Sequence, residues 1–132
     1  ATFMILAVTP IYAGLLGIFY VLMSLWVVKV RVRQHINSGD KGDPVMHNAI
    51  RTHANFAEYV PLALILIGFG EVQGMPAIGT HVLGAALVLA RVMHGFGMGR
   101  RPHTPALRGG GAALTFVILL VASLANLGHA IW

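Results

Sequence analysis

The sequence predicts an all-α integral membrane protein, a bundle of four transmembrane helices in a single domain covering residues 1–132. Three observations predict it. Of the 132 residues, 57% are hydrophobic and only 10% charged, with a mean hydropathy of +0.77; soluble domains carry about 25% charged residues. The apolar residues fall into four runs, each long enough to cross the ~30 Å hydrocarbon core of a bilayer as a helix. All nine Lys and Arg residues sit in or beside two of the three connections between those runs.

Helix 1 is read from Phe3–Val28, which contains no charged residue. Those residues would span about 39 Å as a helix, so the segment crosses with some tilt. Pro10 falls a turn or two inside and is expected to kink it, and Trp26 suits the membrane interface. The basic run Lys29–Arg33 then opens a loop rich in Gly, Asp, Asn and Ser. Asp43 before Pro44 has the pattern of an N-cap followed by proline at the first helical position. Helix 2 is expected over about Val45–Gly70, with Pro61 bending it. Glu71–Pro76 reads as a short turn. Helix 3 is expected over Ala77–Gly99, carrying Arg91 and His94. A connection with Arg100, Arg101 and Arg108 ends in Gly109–Gly111, and helix 4 follows to about Ile131 with no Lys, Arg, Asp or Glu.

Composition excludes several function classes. There is no cysteine, hence no disulfide, thiolate metal site or cysteine nucleophile; thiol chemistry requires a thiol from the substrate. The net charge of +5 does not indicate nucleic acid, because the basic residues lie between apolar spans and act as topology signals. The seven histidines show no His-x3-His spacing, and no metal site is expected. Gly95-Phe-Gly97-Met-Gly99 follows no strand, so it is not a dinucleotide loop; Gly95 and Gly99 read as a small-xxx-small pair for close helix packing. The first apolar run lacks a basic leader and exceeds the length of a signal-peptide core, so no cleavable signal is expected.

The chemistry concentrates in Arg51-Thr-His-Ala-Asn-Phe-Ala-Glu-Tyr-Val-Pro61. Arg51, Asn55 and Glu58 are spaced i, i+4, i+7 and share one helix face. Ionised groups in a membrane face the bundle interior and pair, so this face is either an Arg–Glu clamp between helices or a polar ligand site. Arg91 and His94, i and i+3 on helix 3, can face the same neighbour. Topology brings these residues and Arg108 towards one membrane face. Guanidiniums with an amide, a carboxylate and an imidazole suit a zwitterionic or anionic ligand, beside an apolar co-substrate arriving from the lipid.

The segment Arg51-x-x-x-Asn55-x-x-Glu58-Tyr-x-Pro61, with Ala90-Arg91-x-x-His94-Gly on helix 3, resembles the MAPEG family, the membrane-associated proteins in eicosanoid and glutathione metabolism. The resemblance covers nearly the whole chain and is nearest the small bacterial branch. It implies a homotrimer of four-helix bundles in the bacterial inner membrane, with a site between subunits near the cytoplasmic face. It also implies glutathione as co-substrate, with lipophilic electrophiles or hydroperoxides as second substrates. Carried over by position, Arg31, Arg51, Asn55, Glu58, Arg91 and His94 would bind glutathione, and Arg108, with Arg100 and Arg101 as rivals, would stabilise its thiolate. The chain departs from the family pattern at Met98, where a tyrosine is usual, and at Gly109–Ala113, where hydroxyl residues are usual. The alternative function is a non-catalytic membrane trimer that holds glutathione, a lipid or a partner helix. A four-helix transporter fits less well, because helix 1 has no acidic residue.

The charge distribution sets the orientation. The first and third connections are basic, so they are expected in the cytoplasm with both termini periplasmic. A cysteine appended after Trp132 should react with a membrane-impermeant thiol reagent in intact cells; labelling only after lysis would reverse the topology.

Overall fold

The computed structural model describes residues 5–99 and 105–131. It contains four helices: α1 (Thr9–Gln34), α2 (Pro44–Val72), α3 (Ala77–Gly99) and α4 (Pro105–Ile131). All four are long and apolar enough to cross a membrane. Helices α1 and α4 lie on opposite sides of an α2–α3 pair, and the longest contact is between α3 and α4. The core runs along the bundle axis through Leu16, Met23, Phe56, Val60, Ile67, Leu87, Ala90 and Ile118.

The helix ends differ from the sequence expectation where local chemistry decides. The first helix begins at Thr9, not Phe3; Phe3 itself lies outside the described residues. Pro10 therefore sits in the first turn and kinks nothing, since a first-turn residue has no intrahelical N–H bond to lose. Glu71, expected in a turn, belongs to the last turn of α2. Its carboxylate accepts the N–H groups of Ala7, Val8 and Thr9 at 3.2, 2.6 and 2.9 Å. One side chain thus satisfies donors that the start of α1 leaves free, and places a negative charge at the positive end of that helix. At its other end α1 continues through the basic run to Gln34. Arg31 and Arg33 there complement the negative end of the helix dipole. His35, in the left-handed region at φ 55°, ends the helix.

The connection to α2 is tied back onto both helices. Arg31 donates to the Gly39 carbonyl at 2.9 Å. Asp40 accepts from the Gly42 N–H at 2.9 Å and meets His47 Nδ1 at 2.8 Å; the Gly42 N–H and the His47 ring hold its carboxyl below the usual range. Asp43 caps α2 as expected, accepting from the Met46 N–H at 2.9 Å.

Helix α4 starts at Pro105, earlier than the glycine run suggested. Gly109–Gly111 are helical, although each glycine costs about 1 kcal/mol relative to alanine inside a helix. Packing explains their use. A Cβ on Gly111 would collide with the Ala90 carbonyl and the His94 backbone, and one on Gly97 would collide with the backbone of Leu107 and Arg108. The close α3–α4 approach therefore falls at Gly97 and Gly111. The expected Gly95/Gly99 pair does not make it: Gly95 faces the Phe19 ring and Gly99 has only the Trp26 ring, 4.0 Å away.

Substituting Gly111 by Leu should lower the thermal midpoint in detergent markedly, because the blocking atoms are backbone and overpacking costs about 1–3 kcal/mol or more. Gly109→Ala, which meets open space, should leave the midpoint unchanged or raise it slightly.

Candidate functional site

The site is centred on Arg91. It lies in the second half of α3, on the stripe Leu83, Leu87, Ala90, Arg91 and His94 that the bundle buries. The side chain is only 1% exposed. Its Nη2 donates to Asn55 Oδ1 on α2 at 2.7 Å. The other terminal nitrogen, Nη1, reaches Thr115 Oγ1 on α4 at 3.5 Å, and Nη2 lies 3.5 Å from His94 Nδ1. The guanidinium carbon stands 5.7 Å from the centre of the Phe56 ring, within the range of a cation–π contact. Arg91 thereby links α2, α3 and α4.

Among the described residues its charge has no counter-ion. Its partners Asn55, Thr115, His94 and Phe56 supply no negative charge, and the ion pairs among the described residues are Asp40–His47 and Arg51–Glu58. Arg91 Nε is buried with no hydrogen-bond partner. A buried cation is normally paired with an anion, since an isolated charge in a low-dielectric interior is costly. Thr115 Oγ1 can accept from Arg91 while its own hydrogen goes to the Gly111 carbonyl at 2.8 Å, so it supplies an acceptor but no negative charge.

Arg51 and Glu58 form the adjoining part. Arg51 Nη2 and Glu58 Oε1 are 3.2 Å apart, with 47% and 48% of their side chains exposed. The pair lies along one helix, two turns apart. Of the two alternatives for this face, a clamp between helices is not formed within the chain: Arg51 and Glu58 pair along the outer face of α2, and Glu58 forms no ion pair with Arg91. Asn55 lies between the two in sequence and on the same face, half-buried, so the outer pair and the buried guanidinium are adjacent.

Among the residues expected in the site, the structure joins Asn55, Arg91 and His94, with Arg51 and Glu58 beside them. It does not join the other two within one chain. Arg31 is half-buried and engaged with the loop carbonyls of Gly39 and Ile36. Arg108 is exposed in the first turn of α4, although its backbone packs on Gly97. Arg100 and Arg101 lie outside the described residues. Sequence reasoning missed Phe56 and Thr115. Thr115 carried a signal, being a hydroxyl in an almost wholly apolar helix, and Phe56 follows Asn55 in the motif itself.

A second polar group, between α1 and α2, also went unread. His53 Nε2 lies 2.9 Å from Ser24 Oγ, and its ring stacks on Tyr20 with centroids 4.8 Å apart. At the other end of the bundle Tyr12 Oη and His81 Nδ1 are 2.7 Å apart.

Comparison with known proteins shows the family. The profile described as MAPEG family matches residues 9–128, which includes all four helices almost to their ends and every residue of the cluster. The chain belongs to the MAPEG family. It is also similar to proteins named Inner membrane protein YecN from Escherichia coli strain K12 and from Escherichia coli O6:H1 strain CFT073. Each is 34% identical over 125 residues, covering 95% of this chain and 94% of the relative. This MAPEG chain is thus a membrane protein of four helices whose buried arginine lies in the family's shared region.

The hydrogen bond between Asn55 and Arg91 sets a test. Asn55→Leu leaves a buried guanidinium nitrogen without its acceptor, at a cost of about 1.5–3 kcal/mol for a bond to a charged group. His94→Leu should cost less, since its contact is at the limit of hydrogen bonding. Detergent melting curves should therefore rank Asn55→Leu below His94→Leu; the reverse order would make His94 the main support of Arg91.

Proposed function

We propose that this protein is a glutathione-dependent transferase or peroxidase of the bacterial inner membrane, acting as a homotrimer on lipophilic electrophiles or hydroperoxides. The observation that carries the reading is the buried Arg91, whose charge no carboxylate of the described chain neutralises. An anionic ligand would supply the missing charge. Glutathione has two carboxylates and an ammonium, which match a set of guanidiniums with one carboxylate nearby. Membership of the family, and the name of the Escherichia coli relatives, support the ligand class and the inner-membrane location.

In this reading Arg51, Asn55, Glu58, Arg91 and His94 hold the peptide, and Arg31 completes the site from a neighbouring subunit. The exposed ion pair supports assembly. Glu58 lies near the midpoint of α2, about 21 Å from either end at 1.5 Å per residue. An ion pair at that depth is disfavoured against lipid, and a second copy would cover it. Both termini face the periplasm, so the basic ends of the helices meet cytoplasmic glutathione.

Chemistry would require the thiolate. A free thiol with a pKa near 8.5 is mostly protonated at neutral pH, and nearby positive charge lowers it. Arg108 lies in the first turn of α4, where unpaired N–H groups and the positive helix end also favour an anion. The thiolate sulfur would attack the electrophile and expel its leaving group, while the bilayer concentrates the apolar partner. A second reading, binding without turnover, is favoured by the exposure of Arg108 and by the absence of hydroxyl side chains at Gly109–Ala113.

Two measurements separate these readings. Glutathione should raise the melting temperature of the purified protein, and thiolate absorbance near neutral pH should appear on its addition. Arg108→Leu should raise the apparent pKa of the bound thiol while binding persists, and Arg108→Lys should retain part of the effect. Stabilisation without any thiolate would select the binding-only reading, and no stabilisation would remove glutathione as the ligand.

A further inference from the structure

Helices α1 and α3 meet at the outer end, where Tyr12 lies against Gly84 and His81, and again where the Phe19 ring covers Gly95. Beyond Phe19, towards the basic end of α1, a groove of about 420 Å³ opens between them. Helix α1 lines it with Phe19, Leu22 and Trp26, and α3 with Gly95, Phe96 and Gly99. The groove exists because α3 presents glycine twice along this wall. Thr52 lies at its floor, but the Thr52 hydroxyl is spent on the Asn48 carbonyl at 2.7 Å, so the surface offered is apolar. It is distinct from the Arg51–Glu58 face, and no residue of the proposed glutathione site lines it.

The α1 wall continues into positive charge. Lys29 follows Leu22, and Arg33 follows Trp26, by seven residues each, which is almost two whole turns. Both cations therefore lie on the stripe that lines the groove, one and two turns beyond its apolar part. Both are exposed, and neither takes part in an ion pair among the described residues. Helix 1 carries no acidic residue to compete.

We infer that this groove binds one acyl chain of an anionic glycerophospholipid whose phosphate rests on Lys29 and Arg33. The apolar part takes the chain by contact and excludes the headgroup. The pair of cations distinguishes a lipid of net negative charge from a zwitterionic one, because an ammonium in the headgroup would be repelled. Trp26, at the boundary between the two parts, is where an aromatic ring sits at headgroup level. Two basic residues near an anionic headgroup give a preference of roughly thirtyfold.

Trp26 reports on the groove directly. The test uses Trp132→Phe protein, which leaves Trp26 as the single tryptophan, in vesicles containing phosphatidylglycerol or phosphatidylcholine with brominated acyl chains at equal mole fraction. Brominated phosphatidylglycerol should quench Trp26 at about a thirtieth of the mole fraction that phosphatidylcholine needs. Lys29→Gln with Arg33→Gln should bring the two curves together. Gly99→Leu, which fills the groove beside Trp26, should weaken quenching by both lipids with the melting temperature retained. Equal quenching by the two lipids would mean an ordinary lipid annulus and would overturn the proposal. So would weak quenching by both in the otherwise unaltered protein, the result expected if a second copy of the chain fills the groove.

Discussion

The structure depends on a guanidinium buried without an anion. Arg91 could have been placed at a helix end, where a long side chain reaches water along its own apolar stem. It is held inside the bundle instead, against Asn55, Thr115, His94 and the Phe56 ring. Those neighbours come from three helices, so the desolvation of one charge constrains the relative position of α2, α3 and α4. Neutral hydrogen-bond acceptors and an aromatic face soften the cost of burial without cancelling the charge. The remaining attraction is available to a ligand. This is why a structural feature and a binding feature coincide in one residue.

The rest of the bundle holds that arrangement in place. The backbone contacts at Gly97 and Gly111 bring α4 close enough for Thr115 to reach α3, and Gly111 touches His94 directly. At the opposite end Asn126 donates to the Leu66 carbonyl at 2.8 Å and locks α4 to α2. Glu71 does the same for α1 by accepting three backbone N–H groups from another segment of the chain. Among the buried polar side chains of the described residues, Asn48, Arg91 and Thr115 join one helix to another. Such bonds matter in lipid because an unsatisfied polar group finds no water there.

Much of this was legible in the residues. The limits of α3, the Asp43 cap and the shared face of Arg51, Asn55 and Glu58 follow from hydropathy, capping chemistry and helical period. The spacing of Arg91 and His94 put them on one face of α3, where they meet each other, and the motif around Asn55 pointed to the family that the comparison over residues 9–128 establishes. What escaped was set by contacts between distant parts of the chain. Glycine at 109–111 reads as loop by intrinsic preference, and only the proximity of α3 turns it into a helix surface; Pro105, a good first-turn residue, was the overlooked signal. Glu71 reads as a turn residue until α1 is seen to start beside it. Helical period placed Arg51 and Glu58 on one face but could not say that they pair with each other, because a partner on another helix would have the same spacing. Arg31 and Arg108 stand apart from the cluster within one chain, and no sequence pattern distinguishes a residue that completes a neighbour's site from one that ties down a loop.

The central claim is that the uncompensated charge of Arg91 is what draws an anion, and Asn55→Asp tests it most directly. This substitution keeps the acceptor oxygen and adds a carboxylate where Arg91 already donates. If the charge is uncompensated, the ligand-free protein should melt at a higher temperature than the unaltered one, and stabilisation by glutathione should be lost because the anion is now built in. A melting temperature that is unchanged or lower, with stabilisation by glutathione intact, would contradict the account.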